Sequence, residues 1–181
     1  MLISSPHMND DNFARTVVLL LQHDAHGAMG VVINRLSERN IDSLWRDIFS
    51  KEIQEVPPLY LGGPVQGPPI ALHDDSSSDV TGSVEVVPGV YVATNLEQLQ
   101  QIVLENEASV RIYLGCASWA EGQLEAEISY GGWYVAPATH EVVFYHEDSI
   151  WRRVVQLVGD QLLSHVIGKD ENQKDFDPSL N

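Results

Sequence analysis

Cysteine and basic residues are scarce in this sequence. The 181 residues include one cysteine, Cys116, so the chain cannot form an internal disulfide bond, as is typical in a reducing cytoplasm. Ten Lys and Arg residues stand against 26 Asp and Glu residues, and the net charge is -16. Residues 1–90 carry 5 basic and 12 acidic residues, and residues 91–181 carry 5 and 14. Neither half of this acidic chain offers enough positive charge to neutralise phosphates. We therefore expect no direct contact with nucleic acid and no attraction to an anionic membrane.

Long apolar runs and reaction-specific motifs are also missing. The apolar run Val17–Leu21 is far shorter than the roughly 20 residues that cross a membrane. The N-terminal residues have neither the basic stretch nor the sustained apolar stretch of a secretory signal. The chain contains no P-loop and no G-x-G-x-x-G, H-E-x-x-H, G-x-S-x-G or C-x-x-C motif. We therefore expect a cytoplasmic protein with no cofactor and no association with a membrane.

The apolar residues that are present, 44% of the chain, are enough for a core. Two runs, Arg15–Asp24 and Ala28–Asn34, are too apolar for an edge strand, so we predict that they form adjacent strands inside a sheet. The residue patterns predict further strands at Ile70–His73, Val84–Val87, Val90–Ala93, Val110–Cys116, Trp133–Ala136 and Val142–Tyr145.

Amphipathic segments predict helices at Asp42–Phe49, Leu96–Asn106, Trp119–Ser129 and Ile150–Val158. Thr94 with Glu97, and Ser118 with Glu121, have the spacing of capping boxes, which would open the second and third of these helices. Gly159 is expected to interrupt the last helix.

The order of these elements favours an α+β fold. Strands outnumber helices, and several are neighbours in hairpin-like pairs without a regular alternation of strand and helix. No internal repeat and no interdomain linker is evident. Residues 1–168 are therefore predicted to form a single domain, and residues 169–181 a flexible C-terminal tail.

A series of short segments, in order over roughly residues 1–160, resembles the YqgE/AlgH-like family. The matching segments are Phe13–Val18 with His23, Gly27–Arg35, Tyr60–Val65, Leu72–His73, and Gly122–Glu125 with Glu127, Ile128 and Trp133. The resemblance implies a cytoplasmic bacterial protein with a bent, partly barrel-like, mixed or antiparallel sheet flanked by helices. It implies no reaction, because most members are uncharacterised. One branch carries a transcriptional-regulator label tied to alginate control.

The sequence departs from the family pattern at two places. Cys116–Trp119 reads Cys-Ala-Ser-Trp where members usually show Tyr-Ala-Gly-Trp. Pro68–Ala71 replaces a stretch that Arg-Gly and an aromatic residue usually open, which weakens any role for that loop.

Cys116 is a candidate nucleophile because it stands where a strand is predicted to meet a capped helix, a position that lowers a thiol pKa. Such a site would need a histidine brought from elsewhere in the chain, and the family normally has no cysteine at this position, so a small buried structural residue is the favoured interpretation. His23 and His26, joined by His7 or His73 and by Asp24 or Asp74, are candidate metal ligands. No second pair has ligand spacing, and we expect no bound metal.

Carboxylates one helical turn apart are a third candidate. Glu121 and Glu125 share a helix face, as do Gln123 and Glu127, and such pairs serve acid–base chemistry or simply a solvated face. Glu127 stands out because the family resemblance places it in a motif next to Gln123.

Arginines and glycines complete the candidates. Arg15 is expected to pair with an acid such as Glu127; alternatively, Arg15 or Arg35 binds a small anion near glycine-rich corners. The candidate ligand-binding residues are Arg15, Asn34, Gly62, Gly63, His73, Gln123 and Glu127; no catalytic residue is assigned.

Three functional classes follow. The favoured one is a binding or regulatory protein, monomeric or weakly dimeric, that acts through an unknown protein or small-molecule partner. The alternatives are a transcriptional regulator, as the family label suggests, and an enzyme that uses Arg15, His73 and Glu127 together.

Overall fold

The computed structural model describes residues 1–38, 57–74, 82–105, 109–145 and 149–171. The strands are β1 (Leu2–Ser4), β2 (Val17–Asp24), β3 (Gly27–Val32), β4 (Leu59–Leu61), β5 (Ile70–His73), β6 (Val84–Val87), β7 (Val90–Ala93), β8 (Val110–Leu114), β9 (Ala117–Ala120) and β10 (Trp133–Val135). The helices are α1 (Leu96–Glu105), α2 (Gln123–Ser129), α3 (His140–Val143) and α4 (Ile150–Glu171). The helix predicted at Asp42–Phe49 and most of the predicted tail lie outside the described residues.

The strands form two five-stranded sheets. The first sheet has the order β10-β1-β2-β3-β9 and is antiparallel throughout. The second has the order β4-β8-β5-β7-β6 and is mixed, because β4 runs parallel to β8. The predicted α+β class is confirmed, with two open sheets among the described residues and no closed barrel. The prediction that β2 and β3 are adjacent interior strands is also confirmed.

Three apolar clusters join the two sheets to each other and to the helices. The largest joins facing sides of the two sheets and includes residues of α3 and α4. The outer side of the second sheet packs on α1, and the outer side of the first sheet packs on α2. Both sheets are therefore buried on both sides, and alternate residues of one strand enter different clusters. In β2, Val17 and Leu19 face the second sheet, whereas Val18 faces α2. This explains why the sequence of β2 reads as a continuous apolar run.

A close backbone approach joins the ends of the two sheets. The Val32 N–H of β3 donates to the Gly62 carbonyl that follows β4, at 2.8 Å. Val65 and Cys116 exchange two backbone hydrogen bonds, of 3.0 and 2.9 Å. Gly63 has a φ of 152°, and a Cβ there would collide with the carbonyl group of Cys116. A Cβ on Gly62 would likewise collide with the Gly115 carbonyl, so both glycines are needed for the backbone packing of this junction.

The second sheet contains a buried cation that the sequence analysis did not select. Arg111 of β8 is 2% exposed, and its guanidinium donates to the carbonyls of Val143 and Tyr145, each at 2.7 Å. The guanidinium carbon also lies 5.0 Å from the ring centre of Tyr60. Arg111 thereby fastens the C-terminal end of α3 to the sheet, where a positive charge is favourable.

Several local predictions were wrong. Trp119 lies in strand β9, and α2 begins only at Gln123 with Gly122 as its N-cap, so Ser118 caps no helix. Asn95 caps α1 instead of Thr94, because its Oδ1 accepts the N–H of Gln98 at 2.8 Å. Val142 and Val143 of the predicted strand at Val142–Tyr145 belong to helix α3, and no residue of the predicted strand is in a strand. Gly159 does not interrupt α4, which runs for 22 residues. In the part of the chain that the structure describes, no helix combines the length and the apolar character needed to cross a membrane.

Candidate functional site

A cleft of about 390 Å³ opens between α2 and the loop that joins β1 to β2. Its floor is built by β9 and β10, which lie at opposite edges of the first sheet. The residues that line this aromatic cleft are Met8, Asp10, Phe13, Ser118, Trp119, Gln123, Glu127, Tyr130, Gly132 and Trp133. They include two carboxylates and, within the described part of the chain, no Lys, Arg or His.

Glu127 is the best-anchored polar group of the aromatic cleft. Its Oε2 accepts the indole N–H of Trp119 at 2.9 Å and that of Trp133 at 2.8 Å. Its Oε1 accepts the side-chain amide of Gln123 at 2.9 Å. Gln123 is itself fixed, because its Oε1 accepts the backbone N–H of Ala120 at 3.0 Å. Three side chains, from α2, β9 and β10, thus hold one carboxylate in a defined position.

Three aromatic rings pack beside this carboxylate. Phe13 stacks on Trp119 with ring centres 6.0 Å apart and meets Trp133 edge-on at 5.4 Å. Trp119 and Trp133 are buried, whereas Phe13 is half-buried at the mouth of the cleft. Tyr130, which follows α2, is 89% exposed. The cleft therefore has apolar walls, and one exposed aromatic ring stands at its rim.

The short helix α2 owes its end to two glycines. Gly131 has a φ of 75°, and its N–H donates to the Ile128 carbonyl at 2.9 Å, while Gly132 donates to the Glu127 carbonyl at 2.9 Å. The left-handed residue satisfies the last carbonyls and turns the chain directly into β10. The predicted end of this helix at Ser129 is confirmed, and the turn that follows brings Trp133 next to Glu127.

Of the predicted site residues, only Gln123 and Glu127 lie in the aromatic cleft. The expected ion pair between Arg15 and Glu127 is wrong, because the Glu127 carboxylate is bound by Trp119, Trp133 and Gln123. Arg15 is exposed, on the far end of the β1–β2 loop. Asn34 lies beside it and donates from Nδ2 to the Arg15 carbonyl at 3.0 Å.

His73 lies in the second sheet, far from this arrangement in the topology. It is 1% exposed, stacks on Tyr91 of β7, and its Nε2 lies 3.0 Å from the Ser83 hydroxyl. The structure therefore does not bring Arg15, His73 and Glu127 into one site, and the enzyme hypothesis built on these three residues loses its geometric basis. Arg35 also has its own partners, since its guanidinium donates to the backbone carbonyls of Asn12 and Asp11.

The candidate metal ligands and the candidate nucleophile do not form a site either. His23 pairs with Glu125 at 2.6 Å, and this hydrogen bond lowers the pKa of that carboxyl. His26 lies 3.3 Å from Asp24, so the two histidines face different carboxylates. Among the described residues, no group of three or more His, Cys, Asp and Glu side chains is arranged to hold a metal ion. Burial raises the pKa of the Cys116 thiol, which is the opposite of what a nucleophile needs.

The three rings that build the aromatic cleft were not among the site residues predicted from the sequence. Phe13 and Trp133 belong to the segments that resemble the family, but they were not selected as site residues. The available signal was the pair of tryptophans, eight and six residues from Glu127 along the chain, whose indole N–H groups need acceptors when buried.

Comparisons with known proteins agree with this architecture. The model of the AlgH-like family matches residues 1–163. A UPF0301 protein of Chlorobaculum tepidum is 35% identical over 165 residues, which cover 89% of this chain and 86% of the relative. A UPF0301 protein of Myxococcus xanthus is 34% identical over 176 residues, which cover 95% of this chain and 96% of the relative. The solution structure of the AlgH protein from Pseudomonas aeruginosa has a TM-score of 0.68 at 30% identity and covers 92% of this chain and 90% of its own.

Proposed function

This chain belongs to the AlgH-like family, and we propose that it is a binding protein whose aromatic cleft accepts a positively charged group next to Glu127. The ligand is an amine or a guanidinium carried on an apolar body, either as a free small molecule or as a side chain of a protein partner. The observation that carries the proposal is the fixed Glu127 carboxylate among aromatic rings.

The carboxylate has capacity left for a ligand. An ionised carboxylate offers about four lone-pair sites. The side chains of Trp119, Trp133 and Gln123 occupy three of them. Glu127 is half-buried and lines the cleft, so its remaining capacity is not fully satisfied by water. A donor on the ligand completes the set, and a charged donor forms the stronger hydrogen bond.

The negative charge around the cleft favours a positively charged ligand. Asp10 and Glu127 are the charged residues that line it, and the whole chain carries a net charge of -16. A ligand carboxylate or phosphate would enter a negative field, and none of the described residues that line the cleft is a cation. The rings of Phe13 and Tyr130 attract a cation through their faces and bury its apolar part.

Titration with three related probes tests the proposal. They are 2-phenylethylamine, 2-phenylethanol and 3-phenylpropionate, which share the ring and differ in charge. The indole N–H resonances of Trp119 and Trp133 are the reporters, because both protons are bonded to Glu127. At about 0.3 kcal/mol per heavy atom, a probe of this size binds with a Kd of roughly 10 mM or tighter. The amine is expected to shift both indole resonances. The alcohol should shift them weakly, and the acid should leave them unchanged.

Glu127→Gln and Glu121→Gln form the matched pair of variants. Glu121 is exposed and precedes α2, so its loss leaves the cleft intact. Glu127→Gln is expected to abolish the preference for the amine, and Glu121→Gln to retain it. Equal shifts with the acid and the amine, or an unchanged preference in Glu127→Gln, would show the proposal to be wrong.

We further propose that the protein acts in the cytoplasm as a monomer or weak dimer, through this cleft and not through DNA. The low content of basic residues supports this choice over the transcriptional-regulator alternative. Residues 1–168 serve as its single domain.

A further inference from the structure

A second cavity, of about 600 Å³, lies on the other side of the β1–β2 loop. Its lining consists of Pro6, Arg15, Ser149, Trp151 and Arg152, and we refer to it as the arginine groove. Arg15 comes from the loop and Arg152 from the first turn of α4, so two distant parts of the chain each supply a guanidinium. We propose that the arginine groove binds a nucleoside phosphate, with the two guanidinium groups on the phosphates and the base on Trp151.

The two arginines are exposed cations, and within the described ranges neither lies in an ion pair. No carboxylate of the described residues forms an ion pair with Arg15 or Arg152. The chain has 26 acidic residues for 10 basic ones, so acidic partners are abundant. Two unpaired guanidinium groups that line one groove are suited to an anion with several oxygens, because each can donate two parallel hydrogen bonds to it.

The backbone of Arg15 is held in a conformation that arginine disfavours. Its φ is 57°, the only positive value for a non-glycine residue in the described ranges. The side chain of Asn34 maintains it, donating to the Arg15 carbonyl at 3.0 Å and accepting the Val17 N–H at 2.8 Å. Strain of this kind concentrates at functional positions, where a side chain must point in one direction. Asn34 is therefore a positioning residue for Arg15.

Trp151 supplies an apolar wall with a fixed orientation. Its indole N–H donates to the Ser4 carbonyl at 2.9 Å, which ties the ring to β1. The half-buried ring lines the groove and offers its surface to a planar group. The volume of the groove lies within the range of small-molecule sites, about 300–1,000 Å³. Inorganic phosphate alone would leave most of that space empty, whereas a nucleotide occupies it.

Arg153 provides a matched control next to the proposed site. Its guanidinium lies 5.0 Å from the ring centre of Tyr145 and donates to the hydroxyl of the same residue at 2.9 Å. It therefore has partners of its own and is not part of the groove lining. Arg153→Gln removes the same charge as Arg152→Gln from the adjacent position.

Calorimetric titration of the intact chain with ADP, inorganic phosphate and adenosine tests the proposal. The salt concentration should be about 0.15 M, so that the net negative charge of the protein is screened beyond about 8 Å. We expect ADP to bind more tightly than phosphate, and adenosine to bind least. Arg15→Gln and Arg152→Gln should each weaken ADP binding about tenfold or more, the effect of losing one hydrogen bond to a charged group. Arg153→Gln should bind ADP as the parent does.

Arg15→Gly separates a role in binding from a role in folding. Glycine adopts a positive φ freely, so this variant should unfold at a urea concentration no lower than Arg15→Gln while losing ADP affinity to the same extent. Trp151→Phe should reduce the difference in affinity between ADP and phosphate. A Kd for ADP weaker than about 1 mM, or equal losses in the Arg152→Gln and Arg153→Gln variants, would overturn the proposal. Equal affinities for ADP and phosphate would overturn the assignment of Trp151 to the base.

Discussion

The indole rings of Trp119 and Trp133 cross at 80° with their centres 5.8 Å apart, and both donate to the same oxygen of Glu127. The two rings belong to strands at opposite edges of one sheet, so a single carboxylate links the two edges beneath α2. Both tryptophans are nearly inaccessible, at 4% and 2% exposure, and their N–H groups depend on this acceptor. The same interaction thus serves the fold and shapes the cleft.

Glu127→Ala should destabilise the protein by about 2–4 kcal/mol, because two buried indole N–H groups lose a charged acceptor. Glu127→Gln should cost less, since an amide oxygen still accepts from both indoles. Urea unfolding monitored by tryptophan fluorescence measures the free energy of unfolding. The exposed Glu121→Ala is the control and should stay within about 0.5 kcal/mol of the parent. A loss in Glu127→Ala no larger than in this control would contradict the structural role of the carboxylate.

Tyr113 should make the protein less stable at alkaline pH. Burial raises the pKa of its phenol well above the ordinary value of 10.0, and the neighbouring Arg111 offsets only part of that rise. Above about pH 10 the phenol ionises in the unfolded chain but not in the folded one, so the free energy of unfolding falls as pH rises. Below that pH both states keep the proton and Tyr113 contributes no pH dependence.

Urea unfolding between about pH 9 and pH 11 measures this effect. The Tyr113→Phe variant should show a smaller decline than the parent, by up to about 1.4 kcal/mol per pH unit. Identical declines in the two proteins would mean that Tyr113 titrates normally.

Cys116 should react slowly with iodoacetamide in the folded protein. Burial raises the pKa of its thiol, so the thiolate fraction at pH 8 is lower than in the urea-unfolded chain. The ratio of the two alkylation rates should shrink as the pH rises, because the folded thiol then ionises as well. A ratio that is constant with pH would indicate steric shielding alone. Because the chain has one cysteine, mass spectrometry of the intact protein gives the rate directly.

The purified protein should not retard duplex DNA at about 0.15 M salt, where the Debye length is near 8 Å. Each phosphate contact needs a Lys or Arg close to the backbone, and the chain has 10 such residues against 26 acidic ones. A mobility-shift titration with unrelated competitor DNA is the measurement. Saturable, competitor-resistant retardation of one duplex would restore the transcriptional-regulator alternative.

The strands that the sequence predicted correctly are those with a pattern stronger than any competing local signal. The apolar runs of β2 and β3 have no polar break near their buried ends, and interior pairing is the one arrangement that hides them. The hairpin of β6 and β7 has Pro88-Gly89 between two short runs of valine, a plain turn signal.

The failures occur where a local signal competes with contacts distant in sequence. Ser118 and Glu121 imitate a capping box, but residues 117–120 alternate between buried and exposed, which is the period of strand β9. Val142 and its neighbours favour a strand by composition. Thr139 caps a short helix there, and Arg111, 32 residues before Val143, binds the carbonyls at its end. Local propensity does not encode such a partner.

The candidate site was predictable only in part for the same reason. Gln123 and Glu127 are one helical turn apart, so their pairing could be read from spacing alone. Arg15 and Arg152 line the same groove because α4 packs beside the β1–β2 loop. The two residues are 137 positions apart, and no local pattern in the sequence indicates that they meet.

The junction at Gly63 has a consequence for how the protein unfolds. Its backbone contact with Cys116 leaves no space for a side chain, and the adjacent hydrogen bonds cross from one sheet to the other. Separating the two sheets breaks these hydrogen bonds, so we expect an opening that begins in one sheet to spread to the other. We therefore expect the two sheets to unfold as one cooperative unit, and a ligand held by the first sheet to raise the melting temperature of both.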